Sequence, residues 1–216
     1  MLNSFKILTA ICLMVNFLAC KNDHTEREEA TAAVTEELAA LNAPLSAPIG
    51  KLAIVGDGKF TLDNNKELAL PAIGDTSVTT LFIVRHAENL EGKTSLSEPG
   101  LNRAGYLASL MEKADLAQVY VEGNSAMQTG MFSAQANQAE VNLFKGEQAE
   151  AFLNMVISNF KGKRVLIVGT PASLPSLLNT LAGEIVEGKM PATDYDHFYL
   201  VKVKSIGDAE ISHLIY

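Results

Sequence analysis

Two short, continuous apolar segments constrain the fold of this chain more than any other feature of its sequence. Residues 81–84 read Leu-Phe-Ile-Val and residues 165–168 read Val-Leu-Ile-Val, without the polar alternation of a half-exposed strand. Strands of this kind are buried on both faces, as in a parallel sheet covered by helices. The first segment runs directly into Arg85 and His86. A buried strand therefore delivers a cation and an imidazole to one point.

The surrounding region, residues 78–216, alternates strand and helix patterns. A shorter apolar strand lies near residues 119–121, and residues 199–203 and 210–216 have strand patterns with no helix between them. Helical spacing joins Leu101, Ala104, Leu107, Ala108 and Met111. We predict a three-layer α/β/α domain with a largely parallel central sheet. Ligands of such sheets bind beyond the carboxyl ends of the strands, where Arg85 and His86 lie.

The charge of the chain excludes some kinds of partner. The 216 residues carry 17 basic and 25 acidic side chains, for a net charge of −8, and no block of Lys or Arg occurs. A surface for nucleic acid or anionic lipid needs a basic patch, so neither partner is expected. A phosphorylated ligand would need a local cationic pocket.

The N-terminus predicts export. Residues 1–19 contain an apolar run after Lys6 that is too short to span a bilayer and ends in Phe-Leu-Ala before Cys20. This segment resembles a bacterial lipoprotein signal, which implies a lipid on Cys20 and a location at a bacterial membrane, on the periplasmic or surface side. The alternative is an ordinary secretory signal in which Cys20 is incidental. Because Cys12 lies in the segment to be removed, no disulfide is expected.

Residues 20–77 are predicted to form a tether with local structure. Thr25 and Glu28 have the spacing of a capping box and open an Ala-rich helical pattern, which two prolines end. The following segment has Asp57-Gly58 and Asn64-Asn65 between apolar runs, a pattern typical of a small antiparallel meander. The sequence therefore divides into a signal (1–19), a tether (20–77) and an α/β domain (78–216).

The α/β region resembles the histidine phosphatase superfamily, which has the phosphoglycerate-mutase-like fold. The resemblance rests on TTLFIVRHAEN and LSEPGLNRAGYLASLM, continues through VYVEGNSAMQTG and KRVLIVGTPASLPSLLNTLAG, and reaches ISHLIY at the C-terminus. It implies that His86 takes a phosphoryl group from a monoester and that water removes it later. It also implies that Arg85 binds the phosphate through its planar fork. The alternative is a structural one, with Arg85 and His86 forming a polar cap at the strand end together with Glu88.

Two positions depart from the family pattern. Ser125 stands where a second Arg is usual, and Thr170 stands where a second His is usual. Both residue types also suit helix N-termini: Thr170 before Pro171 predicts an N-cap, as do Asn124 and Ser125. Helix N-termini attract anions, so Arg85, Ser125 and Thr170 are predicted to bind phosphate even though two charges are missing.

Other residues do not replace the missing groups. Arg164 precedes a strand whose far end is Thr170, so we expect it outside the pocket, and Arg103 is interpreted as surface charge. His197 and His213 are interpreted as surface or rim residues. For a general acid, the resemblance points to the region of Glu140, Glu147 and Glu150, where no motif singles one out, and Glu150 is expected on the solvent face of a helix.

Two functional hypotheses follow. The first is a membrane-tethered, catalytically impaired histidine-phosphatase-like domain that binds a phosphorylated or anionic small molecule, or a phosphoprotein, near His86. The second is an active phosphomonoesterase that works through a phosphohistidine on His86. Neither a metal ion nor an organic cofactor is expected.

Overall fold

A central sheet of six strands forms the frame of the computed structural model, which describes residues 47–56 and 58–216. Three further strands precede it. The nine strands, in chain order, are β1 (Leu52–Gly56), β2 (Lys59–Leu62), β3 (Glu67–Ala69), β4 (Thr79–Arg85), β5 (Leu116–Val121), β6 (Glu140–Leu143), β7 (Arg164–Gly169), β8 (His197–Ser205) and β9 (Asp208–Ile215). The α-helices are α1 (Glu98–Met111), α2 (Gly123–Asn137), α3 (Ala149–Asn159) and α4 (Ser173–Ala182), and a 3₁₀ turn spans Gly146–Gln148.

The six-stranded sheet has the order β6-β5-β7-β4-β8-β9. The first four strands pair in parallel, while β8 pairs antiparallel with both β4 and β9. The largely parallel sheet predicted from the apolar segments is therefore confirmed. Each predicted strand lies within an observed one, except that the last extends one residue beyond the end of β9. The parallel register places the carboxyl ends of β4, β5 and β7 at one edge of the sheet.

Both faces of the sheet are covered, as the continuous apolar strands predict. Along β4, Phe82 and Val84 belong to one core cluster and Leu81 and Ile83 belong to the other, because successive side chains point to opposite faces. Helices α1 and α2 contribute buried residues to the first cluster, and α3 and α4 contribute to the second. The architecture is the predicted α/β/α arrangement of three layers.

The predicted meander is present as β1-β2-β3, but it packs as part of the domain core. The ring of Phe60 stacks on Phe82 with centroids 5.3 Å apart and meets the edge of Phe198 at 5.6 Å. Phe60 is fully buried in the same cluster as both sheet residues. The sequence boundary at residue 78 therefore does not separate the meander from the core, because its apolar side chains pack on the first face of the sheet.

The predicted signal segment, Cys20 and the spacer helix lie outside the described residues. Within the described part of the chain, no helix is both long enough and apolar enough to cross a membrane.

Helix α1 explains the Leu-Ser-x-x-Gly part of the family resemblance. Ser97 is the N-cap of α1, and its hydroxyl accepts a hydrogen bond from Gly100 N at 3.3 Å. A Cβ at Gly100 would clash with the carbonyl oxygen of Glu88. The same carbonyl accepts a bond from Ser97 N at 2.9 Å. The motif thus fixes the backbone two residues beyond His86.

Candidate active site

The candidate site lies just beyond the carboxyl ends of three neighbouring parallel strands. His86 follows β4 by one residue, and its N–H donates to Gly169 O at 2.9 Å. Glu122 follows β5, and its N–H donates to Val168 O at 3.0 Å. Thr170 follows β7, which lies between the other two strands. The sheet thus brings an imidazole, a hydroxyl and a carboxylate to one edge.

His86 has the tautomer that a nucleophile needs. The residue is 9% exposed, and its Nδ1 lies 2.8 Å from Ala87 O. Because a carbonyl oxygen only accepts, Nδ1 carries the proton and Nε2 keeps its lone pair. Burial lowers the pKa of His86, as does the charge of Arg85, while the Ala87 carbonyl and the charge of Glu122 oppose this shift. The imidazole is therefore neutral near pH 7.

The backbone beside His86 is held from helix α2. Thr129 is fully buried, and its hydroxyl accepts a bond from Ala87 N at 2.9 Å. The same hydroxyl donates to Ser125 O at 2.8 Å. These two bonds connect the residue after His86 to the first turns of α2.

The guanidinium of Arg85 binds a loop of its own chain. Nη1 donates to Pro191 O at 3.0 Å and to Asp194 O at 2.6 Å, and Nη2 donates to Ala192 O at 2.9 Å. The group also lies over the ring of Tyr195, 3.9 Å from its centroid, and Arg85 is 3% exposed. Burial lowers the pKa of Arg85, although a guanidinium stays charged near neutrality. Within the described residues, Nε is a buried donor of Arg85 without a partner.

Ser125 and Asn124 lie inside α2, whose N-cap is Glu122. The Ser125 hydroxyl donates to Thr94 O at 2.9 Å, and Asn124 Nδ2 donates to the same oxygen at 3.0 Å. The prediction that they are N-caps is therefore wrong, because α2 already begins at Gly123. Both side chains instead bind the loop that precedes α1. Ser125 does lie at the site edge, in place of the expected cation.

Thr170 lies three residues before α4, which begins at Ser173 and has Ala172 as its N-cap. The prediction that Thr170 is the N-cap is therefore wrong, because the helix begins two residues later than Pro171. The Thr170 hydroxyl nevertheless accepts a bond from Ser173 N at 3.2 Å, so it satisfies a free N–H of the first turn. The hydroxyl can donate to Glu122 Oε2 at 3.1 Å or to Ser173 Oγ at 3.2 Å. Thr170 thus contacts both the first turn of α4 and the Glu122 carboxylate.

Glu122 is the site residue that the sequence reasoning missed. Its Oε1 accepts a bond from Gly146 N at 3.0 Å, and Oε2 accepts the bond from Thr170. A Cβ at Gly146 would lie 2.6 Å from Oε1, so the close approach requires glycine. The signal that could have identified Glu122 is its position directly after a buried strand, at the same sheet edge as Thr170.

The three acids proposed from the sequence lie elsewhere. Glu140 is at the amino end of β6, the opposite edge of the sheet, and is exposed. Glu147 and Glu150 are also exposed, on the 3₁₀ turn and on α3. Of the acidic residues, Glu122 is the one that affects the pKa of His86.

Two interpretations of charged residues need correction. Arg103 is not simple surface charge, because its Nε and Nη2 bind the Glu88 carboxylate at 2.8 to 3.0 Å. His197 and His213 are buried, at 8% and 4% exposure, with Nδ1 of the first 2.7 Å from Nε2 of the second. They are not rim residues. Arg164 lies at the amino end of β7, outside the pocket, as predicted.

The charges around His86 differ from those of a phosphate clamp. Among the described residues, no Lys, Arg or His forms an ion pair with Glu122. Arg85 brings a positive charge, but its Nη groups bind carbonyl oxygens. In the same part of the chain, no group of three His, Cys, Asp or Glu side chains is placed to hold a metal ion.

Comparison with solved structures finds the same fold in several proteins of low sequence identity. The chain is similar to the protein histidine phosphatase SixA complexed with tungstate, at 15% identity and a TM-score of 0.52, over 63% of this chain and 96% of that one. It is also similar to a mycobacterial glucosyl-3-phosphoglycerate phosphatase with VO3, at 10% identity and a TM-score of 0.50, over 63% and 98%. A putative alpha-ribazole-5'-P phosphatase from Escherichia coli gives 15% identity and a TM-score of 0.50, over 64% and 96%. No family model and no curated protein sequence matches the chain.

Proposed function

Since the chain has the fold of the histidine phosphatase superfamily, we propose that it is a catalytically impaired domain of this fold that binds a phosphorylated or anionic ligand beside His86. The observation that carries the proposal is the state of Arg85. Its Nη groups donate to three carbonyl oxygens of residues 191, 192 and 194. An arginine that clamps a phosphate would instead use these Nη groups to bind the phosphate oxygens. The ligand is a phosphorylated small molecule or a phosphorylated segment of a protein.

The impairment follows from the charge around the reacting atoms. Phosphoryl transfer depends on preorganised cations near the equatorial oxygens. Ser125 and Thr170 bring no charge, and Glu122 adds a negative one. Removing one preorganised donor costs about 10² to 10³ in rate, so two losses together reduce turnover by about 10⁴ to 10⁶ if they act independently.

Some features of the site still favour the binding of an anion. The buried Arg85 Nε is a donor without a partner among the described residues. Helices α2 and α4 both begin at this edge, and helix N-termini carry partial positive charge. The SixA and mycobacterial structures contain tungstate and VO3, which are oxyanions. Weak binding of phosphate, without fast hydrolysis, fits these features.

The second candidate is an active phosphomonoesterase, and the state of His86 favours it. Nε2 keeps its lone pair, the imidazole is neutral, and a carboxyl group is close enough to influence it. In this function His86 would attack the phosphorus and form a phosphohistidine, and Glu122 would be the candidate acid for the leaving group.

A phosphate-release assay over a panel of monoesters separates the two candidates. Under the first proposal the protein shows little hydrolysis, while millimolar phosphate, sulfate or vanadate raises its melting temperature. His86→Ala should disturb this binding less than replacement of Arg85, because the imidazole is uncharged and the guanidinium is charged. Fast wild-type turnover that is lost in His86→Ala would establish the second candidate. No hydrolysis together with no anion-dependent shift would contradict both.

Restoring the family pattern tests why activity is low. Ser125→Arg with Thr170→His should create or raise hydrolysis, and adding His86→Ala should abolish it. Each single restoration should do much less, since groups that act on one transition state are not additive. A double variant less active than a fast wild type would mean that Ser125 and Thr170 belong to a working site.

We also propose that the domain is tethered to a bacterial membrane through a lipid on Cys20. The proposal is supported by the apolar run that ends in Leu-Ala-Cys. Metabolic labelling with a fatty acid should mark the wild type and not Cys20→Ala. Unlabelled wild-type protein in the soluble fraction would contradict it.

A further inference from the structure

The carboxylate of Glu122 is held in a fixed orientation in the site. Oε1 accepts from Gly146 N and Oε2 accepts from Thr170, so both oxygen atoms are oriented by other segments. Gly146 is itself buried, and its lack of a side chain leaves room for Oε1. The carboxylate is therefore held in place by two loops that follow neighbouring strands.

This arrangement leaves a negative charge that the neighbouring groups do not cancel. Both of its hydrogen-bond donors are neutral, and no cationic side chain of the described residues lies within ion-pair distance. His86, whose pKa Glu122 influences, is neutral because burial lowers the pKa of the imidazole. A phosphate dianion at His86 would thus meet repulsion from Glu122.

Thr170 increases this effect. The Thr170 hydroxyl has one proton to donate, and Glu122 Oε2 at 3.1 Å and Ser173 Oγ at 3.2 Å are both placed to accept it. The position that would offer a positive imidazole in the family pattern therefore has its proton taken within the chain. The site edge near β5 carries the Glu122 carboxylate, while the edge near β4 carries the positive charge of the buried Arg85.

We propose that Glu122 selects ligands that carry an ammonium group on a short arm from the phosphate, the class of aminoalkyl phosphate esters. This inference rests on the proposed binding function. The phosphate would lie beside His86, near the positive charge of Arg85, and the ammonium would lie beside the Glu122 carboxylate. The strands before His86 and Glu122 flank β7, so their backbones are about 10 Å apart at ~4.8 Å per strand. Two side chains and a two- or three-carbon arm span this distance.

The test compares two esters of nearly equal shape, 2-aminoethyl phosphate and n-propyl phosphate, by calorimetric titration of the full chain at low salt. The wild type should bind the amine about tenfold more tightly, a typical gain for a partly exposed charge pair of good geometry. Glu122→Gln should remove this preference, while n-propyl phosphate binds equally or better. Glu150→Gln changes an exposed carboxylate on α3 and should leave the preference intact.

A second measurement needs no variant. The preference of the wild type should shrink as salt is raised, because ions screen the attraction between the ammonium and the carboxylate. Equal affinities in the wild type, or a preference that survives in folded Glu122→Gln, would overturn the inference alone. Failure of both esters to bind the wild type and Glu122→Gln would overturn the proposed binding function and the inference with it.

Discussion

The two ends of the central strands each hold a buried arginine. At the carboxyl end, Arg85 donates to three carbonyl oxygens of residues 191–194. At the amino end, Arg164 donates to Ala114 O and Pro71 O, both at 3.1 Å, and lies 3.4 Å from the Asp115 carboxylate. The two residues are 3% and 5% exposed. Each guanidinium therefore joins the sheet to a loop.

The difference lies in what surrounds each arginine. Arg164 has the exposed Asp115 as its ion-pair partner, although its Nε, like that of Arg85, is a buried donor without a partner among the described residues. Arg85 has a neutral imidazole beside it, and the carboxylate of Glu122 nearby is paired with neutral donors. An arginine at a strand end is thus no evidence for a ligand, because the same residue type anchors a loop at both edges. The chemistry of the carboxyl edge depends on His86 and Glu122.

The largest effect should come from replacing either arginine by methionine. Arg85→Met removes the donors of three loop carbonyl oxygens and Arg164→Met removes those of two, and each loses a buried guanidinium, so we expect each to lower the free energy of unfolding by about 3 kcal/mol. Urea denaturation measures both. A cost below about 1 kcal/mol for Arg85→Met alone would break the comparison, since Arg85 would then be dispensable to the fold. The anion-dependent rise in melting temperature should be lost in Arg85→Met and kept in Arg164→Met.

Gly146→Ala should have the next largest effect. The new Cβ would lie 2.6 Å from Glu122 Oε1 and 2.5 Å from Ser173 Cβ, so we expect a loss of about 2 kcal/mol from overpacking. Gly105→Ala is the control, because its Cβ meets nothing within 4 Å in the middle of α1. It should stabilise the protein by about 0.5 to 1 kcal/mol through helix propensity. Equal changes in melting temperature for Gly146→Ala and Gly105→Ala would mean that the Glu122 carboxylate is loosely held.

The Glu88–Arg103 pair next to the site should give a smaller coupling. The two side chains are 21% and 26% exposed and form a bidentate contact, so a double-mutant cycle with alanine should yield about 1 kcal/mol. The exposed Lys204–Asp208 pair should yield less than about 0.5 kcal/mol. Similar values for both pairs would mean that the carboxyl edge is as solvent-screened as the far surface.

The smallest effect should be a pH dependence from His86. Because burial lowers the pKa of His86 in the folded protein, the unfolded chain binds more protons as pH falls below its ordinary value of 6.5. The neutral imidazole thus favours folding above that value, and this contribution is lost on acidification. Subtracting the stability curve of His86→Gln from that of the wild type isolates it. A difference that grows on acidification would contradict a neutral, buried imidazole.

The Arg-His pair and its strand were readable from the sequence, but the partners of the arginine were not. The residue types of Leu81, Ile83 and their neighbours predict burial through local periodicity. The contacts of Arg85 with residues 191–194 span more than 100 positions, and no local pattern encodes them. Glu122 was overlooked for the same reason, since its partners Gly146 and Thr170 are 24 and 48 positions away.

The sequence alone determined the α/β/α layers, the parallel sheet and the placement of His86 at a strand end, because apolar periodicity and strand length are local properties of the chain. The same holds for the absence of a second Arg and a second His at Ser125 and Thr170. Tertiary structure alone decided which donors are used up: Arg85 by the loop at 191–194, Thr170 by Glu122, and Ser125 by Thr94. Hydrogen bonds between distant segments depend on how the chain packs, and packing sets which polar groups stay available to a ligand.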